Sequence, residues 1–467
     1  LLKISFHGAA REVTGSAIIV EKDGFRVLID CGMVQGKRKE SFERNRNFSF
    51  DPSTINAMVL THAHIDHSGN IPTAAVQGFR GPVFSTYATR DLCSIMLPDS
   101  AYVQMKDLEY VNKKRAKQGL TLFDPLYTIE QAEKSMKLFV PKNLGEHFKL
   151  CDGLEAYFLN SGHILGSSMA VLKYKEAGIK LKIGFTGDLG RKKLPILRPP
   201  DELYEVDYLI CESTYGGRDH NPVETALDKL AEIITATHRR GGKVIVPVFA
   251  VERAQEMLYV LNELALKEMI PAMPIFVDSP LTIEATEIFK KHSECFNEEM
   301  MEFIADNNNP FYLELVKYIR DVEESKVINE YPKPCIILSA TGMCEAGRIL
   351  HHLKNNISNP NNTILIVGYQ AVNTLGRQLV DGNKDVKIFG EPYRVNADVK
   401  VINEFSGHAG HEELVAFVKR ASSPRLKRVF LVHGEPESQE TLKQALAKEG
   451  VSQVINPEHG YEEVLVP

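Results

Sequence analysis

Residues 61–70 read THAHIDHSGN and place His62, His64, Asp66 and His67 within six positions, directly after the apolar run 57–60. A strand that hands over to a loop this rich in imidazole and carboxylate makes poor core, because each buried polar group needs its own hydrogen-bond partner. As metal ligands the four side chains serve one purpose together. The loop runs on into Ile71-Pro72, a helix-start signal, so Asp66 and His67 are expected on the approach to a helix, in a loop pinned at both ends. Pinning pre-orders the ligands and reduces the entropy lost on coordination.

The same arrangement recurs on either side of this stretch. Residues 16–20 and 25–29 are β-rich runs around Asp23-Gly24, a hairpin signal, and the second run ends in Asp30-Cys31-Gly32. Residues 89–137 read as largely helical and charge-rich, with Lys113, Lys114, Arg115 and Lys117 taken as a solvated helix face. The strand signal then returns: 156–159 leads into Ser161-Gly162-His163, and 181–185 into Thr186-Gly187-Asp188. Each run delivers one potential ligand just beyond its end.

After Arg191 the pattern changes. Short apolar runs at 208–211, 244–248, 275–277, 336–338 and 364–367 alternate with segments mostly long enough for helices, which predicts βαβ crossovers and a parallel sheet covered on both faces. A linker at 194–201, with Pro195, Pro199 and Pro200, marks the way in. The C-terminal part resumes the pattern of the first two hundred residues, with Phe405-Ser406-Gly407-His408 and then the strand 429–432 ending in His433-Gly434. The α/β unit is therefore expected as an insertion, with one domain built from 1–206 and 397–467 around an inserted domain at 207–396.

With 467 residues the chain is long enough for two or three domains. Fifty-five basic against sixty-one acidic residues give a formal net charge of -6, so no global positive field draws nucleic acid and any polyanion needs a local groove. The seven cysteines are scattered without CxxC spacing, which argues against a disulfide framework or a thiolate metal site and for a reducing cytoplasm. The opening LLKISFHGAAREVTG, which starts without methionine, is too polar for a signal peptide, and no later run reaches membrane-span length; a soluble, unexported protein is expected.

Collected, the strand-end candidates are Asp30, His62, His64, Asp66, His67, His163, Asp188, His408 and His433. Imidazole and carboxylate without thiolate suit Zn²⁺, with Mn²⁺ or Fe²⁺ behind it. The set exceeds what one tetrahedral ion needs and suffices for two metals sharing a carboxylate, a pair that can activate water for hydrolysis.

These residues resemble the metallo-β-lactamase superfamily: HxHxDH at 62–67, then His163 and Asp188 in order. The resemblance implies an αββα sandwich with two zinc ions, one on His62, His64 and His163, the other on Asp66 and His67, with Asp188 bridging and Asp30 supporting by hydrogen bonds. CESTYG at 211–216, with Glu212, is similar to motif A of the β-CASP nucleases, SGHAGH at 406–411 to motif B, and His433 in LVHGE to motif C. PVFAVERAQE from Pro247, SATGMCEAGR from Ser339 and GYQAVNTLGRQL from Gly368 extend the likeness across the inserted, helix-covered parallel sheet. A histidine at motif C goes with RNA-directed members.

The resemblance is greatest to compact ribonucleases related to the nuclease subunit of the cleavage and polyadenylation factor. The KH-type extension that precedes the first motif in some relatives and the long C-terminal domain of others are not expected here, which leaves endonuclease and 5′ exonuclease both open. It implies Asp66, Glu212 and His408 as catalytic, with His408 the general acid held by Glu212, His433 completing the second zinc, and single-stranded RNA as substrate. The loop at Ser339, Thr341 and Gly342, ahead of a helix expected at Glu345, offers hydroxyls and NH groups to phosphates, joined by Ser406; Arg253, Arg348 and Arg377 are expected to clamp the RNA backbone. A homodimer is the expected assembly, with no membrane partner. A small-molecule metallohydrolase and a non-catalytic RNA-processing scaffold are the competing readings; the long inserted domain with Glu212, His408 and His433 argues against the first, and the complete ligand set against the second.

Overall fold

The hairpin signal at Asp23-Gly24 is realised as antiparallel strands Ala17–Lys22 and Phe25–Ile29, with Ile18 opposite Ile29 and positive φ at both turn residues. The computed structural model describes residues 2–466 except Lys37, Ala177, Asn221, Pro222, Asn307, Asn308, Leu313 and Val372, the last of which falls within the GYQAVNTLGRQL stretch. The chain forms two compact units: residues 1–192, 199–219 and 408–467 make the first, and 193–198 with 220–407 the second.

The first unit holds two seven-stranded sheets. One runs in the order Glu462–Leu465, Leu2–Gly8, Ala17–Lys22, Phe25–Ile29, Ala57–Val59, Val83–Ser85, Phe139–Pro141. The other runs Val454–Ile455, Arg428–Val432, Tyr208–Glu212, Ile179–Phe185, Ser168–Glu176, Leu154–Asn160, Phe148–Cys151. Alternate residues of both sheets, among them Ile4, Phe6, Ile18 and Val20 against Phe158, Leu172, Ile183 and Phe430, form one buried cluster between them. Burying each of these side chains is worth about 1.5–3 kcal/mol, which sets the register of every strand that contributes. Outside the second sheet, Leu414, Phe417 and Val418 of helix His411–Ala421 and Leu442 and Leu446 of helix Pro436–Lys448 pack on Val429 and Leu431.

Strand direction is what assembles the site. Phe25–Ile29 and Ala57–Val59 run parallel, so Asp30 and the 61–70 stretch leave the first sheet at the same end. Ile179–Phe185, Tyr208–Glu212 and Arg428–Val432 also run parallel, with Glu212 opposite Val432, so three segments distant in sequence leave the second sheet together. One expectation is corrected here. The run at Tyr208 is expected in the inserted domain, but it is a central strand of the first unit's second sheet, and the units divide after Asp219 and Gly407. An apolar run buried on both faces reads alike in either kind of sheet.

The second unit is a parallel six-stranded sheet in the order Val316–Tyr318, Ile275–Val277, Ile336–Ser339, Val244–Pro247, Thr363–Ile366, Asp398–Val401. Its core joins Ile245, Ile337, Ile364 and Ile366 of the sheet to Ile349 and Leu353 of helix Ile349–Asn356. Both edge strands escaped the sequence reading because they are short, partly exposed and interrupted by lysine or aspartate. The helix expected at Glu345 starts four residues later, at Ile349.

Candidate metal centre

Three of the turns around the centre depend on the absence or tolerance of a Cβ. Gly187, at φ +53, lies so close to Thr61 that a Cβ there would stand 2.8 Å from Thr61 Cβ, and it delivers Asp188 into the centre. Asp30 and His433 take the same left-handed backbone at φ 57 and 51, a region that Asp and His enter more readily than branched residues. Asp66 and His67 prove to lie inside a short helical turn, Ile65–Ser68, and not on the approach to the helix that starts at Ile71. That turn is bolted to the Asp30 loop by Ser16 N to Asp66 O (2.9 Å), Cys31 N to His67 O (2.8 Å) and Met33 N to Ile65 O (2.9 Å).

The side chains converge in two sets around Asp188. His62 Nε2 and His163 Nε2 each stand 3.2 Å from His64 Nδ1, and 3.4 and 3.5 Å from Asp188 Oδ2. On the other side His67 Nε2 is 3.3 Å from Asp188 Oδ1, and His433 Nε2 is 3.3 Å from Asp66 Oδ2. Asp188 thus offers one oxygen to each set. Two nitrogens about 2.1 Å from a tetrahedral zinc stand about 3.4 Å apart, so the spacing fits this ion. Among the described residues Asp188 Oδ1 is buried and accepts no hydrogen bond, with only the ring nitrogens of His67 and His433 at 3.3 and 3.5 Å, which leaves its lone pairs to a cation. The donor set and this oxygen together fit a bridged pair of metals.

Neighbouring hydroxyls and a carboxylate orient the rings. Asp30 accepts from Thr61 N and Thr61 Oγ1, both at 2.8 Å, and stands 2.7 Å from His67 Nδ1, which directs Nε2 at the site. Thr214 Oγ1 is 3.0 Å from His433 Nδ1, and Thr61 Oγ1 is 3.1 Å from His62 Nδ1. Ser167 Oγ accepts from His163 N at 2.9 Å. The sequence reading missed Thr61, Thr214 and Ser167; a hydroxyl residue adjoining a ligand was the available signal for Thr61 alone.

Burial pushes His64 down to about 3 and lowers His62 and His163 as well, so these rings are neutral, the form that ligates metal. Burial opposes ionisation of Asp66 and Asp188, yet the surrounding histidines hold both carboxyls below the usual range. His67 is raised against its burial by Asp188 and Asp30, the same field that would hold a cation at Nε2.

Glu212 and His408 pair beside this cluster, and with Asp188 they make a third group whose ligand atoms lie close enough together to hold a metal. Glu212 is fully buried; its Oε1 accepts from Leu189 N at 2.7 Å and lies 3.1 Å from His408 Nδ1, while Glu212 N donates to Thr186 Oγ1. Burial alone would lower His408, but Glu212 raises it to about 9, so the ring carries a proton at neutral pH. Its centroid is 4.4 Å from that of His163.

The residues expected on the substrate side lie in the second unit, where most are committed to structure. Arg253 is buried against Glu256, and Arg348 bonds Asp278 Oδ1 (2.6 Å) and the carbonyls of Ile319 and Arg320, which is at odds with the expected role of backbone clamps. Glu256 lies within the same PVFAVERAQE stretch as Arg253, three positions on, whereas Asp278 is brought to Arg348 by packing alone. Arg377 is exposed and pairs with Asp381 at 2.8 Å. Ser339 is buried and donates to Asp278 O (2.9 Å), Thr341 Oγ1 accepts from Glu345 N (3.3 Å), Gly342 O accepts from Gln370 Nε2 (3.0 Å), and Ser406 is buried with its N bonded to Asn403 O.

Comparison with known proteins agrees with this geometry. Residues 10–75 match the metallo-beta-lactamase superfamily, 254–379 the Beta-Casp domain, and 392–457 the Zn-dependent metallo-hydrolase RNA specificity domain. A ribonuclease of Thermus thermophilus is 36% identical over 449 residues, covering 96% of this chain and 97% of that one. The chain belongs to the β-CASP family of metallo-β-lactamase proteins. Other β-CASP relatives include an RNase J-like protein of Methanocaldococcus jannaschii, 32% identical with 93% of each chain covered, and the transcription termination factor FttA of the same organism, 32% identical over 93% of this chain and 67% of that one. A solved Enterococcus faecalis protein of unknown function shares the fold at TM-score 0.54 and 13% identity, over 99% of this chain and 100% of that one. The β-CASP assignment makes the cluster a metal site of a hydrolase and RNA its class of ligand.

Proposed function

We propose that the chain is a zinc-dependent ribonuclease that hydrolyses phosphodiester bonds of single-stranded RNA and uses two zinc ions. His62, His64, His163 and Asp188 would hold one ion; Asp66, His67 and His433 would hold the other, with Asp188 shared. When bound, zinc supplies acidified water as nucleophile and neutralises charge on the phosphate.

The chain's own residues do the rest. Glu212 accepts the Nδ1 proton of His408 and so fixes its tautomer, and His408 gives its Nε2 proton to the ribose oxygen that leaves. The bond from Leu189 N holds the Glu212 carboxylate still, and Asp30 and Thr214 keep the rings of His67 and His433 oriented.

The observation that carries this reading is the Glu212–His408 hydrogen bond beside Asp188, a proton donor that metal binding alone does not require. Zinc-loaded protein incubated with 5′-labelled and with 3′-labelled single-stranded RNA tests it. Shortened products support the reading, and release of labelled mononucleotide from the 5′ label alone assigns 5′ exonuclease action. Inactivity with both zinc sites filled overturns it in favour of a small-molecule hydrolase or a scaffold. The same proposal includes a homodimer, to be checked by light scattering, and a reducing cytoplasm, in keeping with cysteines that are all free.

A further inference from the structure

The lysine run read as a solvated helix face sits on a constructed surface of the first unit. Helix Tyr87–Lys117 ends in Lys113, Lys114, Arg115 and Lys117, and the chain then doubles back on it. Asn112 exchanges two hydrogen bonds with the backbone of Phe123, at 2.9 and 3.0 Å, and Arg115 Nε donates to Thr121 O at 2.6 Å. This clamp holds Leu120, Leu122 and Phe123 out in solvent, at 48%, 53% and 38% exposure.

Phe123 is also part of an aromatic–arginine cluster, its ring tilted by 43° to that of Phe42. The Arg115 guanidinium lies 3.9 Å from its ring centroid, the Phe42 ring lies 4.9 Å away, and Arg46 lies 4.7 Å from the Phe42 centroid while donating to Asp124 O. Charge alone would not single out this surface, since cations in a last helical turn already suit the helix dipole. The cluster of two adjoining phenyl rings, each with a guanidinium over it, does. It stands beside exposed lysines and aliphatic side chains that cost hydration where they are, on a chain whose net charge is -6. Planar faces interleaved with cations are the chemistry that takes unpaired nucleotides.

We infer that this surface is a docking platform for a single-stranded RNA segment, separate from the metal centre. Bases stack on the arginine–phenylalanine cluster, Lys113 and Lys117 meet phosphates, and Leu120 and Leu122 cover ribose and base faces. The choice of RNA among polyanions rests on the ribonuclease reading. The platform adds affinity for longer strands and takes no part in bond cleavage.

The test uses the full chain, a 30-nucleotide unstructured RNA and a dinucleotide substrate. Lys113→Ala with Lys117→Ala should weaken binding of the long RNA and flatten the log K against log salt slope by about 1.4, at about 0.7 per lost single-strand phosphate contact. Phe123→Ala should weaken binding about tenfold through lost stacking, with the circular dichroism spectrum and zinc content unchanged. On the long RNA KM should rise with kcat unchanged, and dinucleotide cleavage should stay at the wild-type rate. If wild type binds and cleaves RNA while the variants keep its affinity and salt slope, the platform is overturned and the ribonuclease reading stands. If wild type neither binds nor cleaves RNA, both fall. Lost binding to phosphatidylserine vesicles with RNA affinity intact would assign the surface to a membrane and overturn it too.

Discussion

Glu212 Oε1 lies 3.1 Å from His408 Nδ1, although 196 positions separate the two residues. The contact exists because strand Tyr208–Glu212 ends beside strand Ile179–Phe185, which brings Leu189 within reach of both: Leu189 N donates to Glu212, and Leu189 O accepts from Ala409 N at 2.8 Å. The Glu212–His408 pair is thereby fixed next to Asp188 by bonds to the Leu189 backbone on both sides.

Replacing His408 with alanine removes the proton donor and none of the ligand atoms grouped around Asp188 by His62, His64 and His163. Turnover of RNA should fall by about 10²–10⁴ with zinc content near the wild-type value. Loss of zinc measured by plasma emission spectrometry would make His408 a ligand and sink its role as acid.

Asp188→Ala deletes the carboxylate whose two oxygens face the two histidine sets. Zinc per chain should drop below two after dialysis against a weak chelator. An unchanged content would refute the bridging assignment.

Asp30→Asn keeps the shape but weakens the acceptor 2.7 Å from His67 Nδ1. Metal affinity should fall about 10–100-fold, read from competition with a chromogenic chelator, while the fold holds. Equal affinity would mean that the turn alone orients the ring.

Gly32→Ala would put a Cβ 1.6 Å from Asp66 O and 2.3 Å from its carbonyl carbon. Backbone cannot yield as a side chain can, so the Ile65–Ser68 turn must shift. A loss of about 3 kcal/mol in denaturant melts is expected, with weaker zinc binding alongside. A stable variant with full zinc would show that the turn is looser than its hydrogen bonds imply.

His7 sits between Ser5 and Ser49, and burial, helped by His459 and Arg26, lowers it to about 4 from an ordinary 6.5. The unfolded chain therefore binds this proton first. Its neutral form costs nothing above pH 6.5, and stability should fall as pH drops from about 6.5 to about 4. Urea melts of wild type and His7→Gln across that window check the sign: the variant should lose less.

Much of the site was legible in residues alone. A cluster such as His62, His64, Asp66 and His67 has no economical apolar explanation, and Asp30, His163, Asp188 and His433 each follow a strand-like run at a turn. The hairpin at Asp23-Gly24 and the parallel sheet of the second unit followed from turn chemistry and from apolar runs spaced by helices. The assignment of Tyr208–Glu212 to the wrong domain had a local cause, since its burial pattern is the same in any two-faced sheet. Arg253 and Arg348 each meet a carboxylate, Glu256 three positions away on the same helix and Asp278 seventy away, the second brought close only by packing.

By itself the sequence determined the kinds of atom available: imidazoles, carboxylates without thiolate, and an acid–histidine pair in the motif order of one family. Only the tertiary structure decided which of them meet. Parallel strands from three separate stretches end at one edge, left-handed turns at Asp30 and His433 aim side chains inward, and threonine hydroxyls fix the rings. Those relationships depend on strand order and register, which are set by burial of the two sheets' shared core over hundreds of residues. The stretch THAHIDHSGN supplies four of the candidate ligand side chains, and the shared core brings the other three to them.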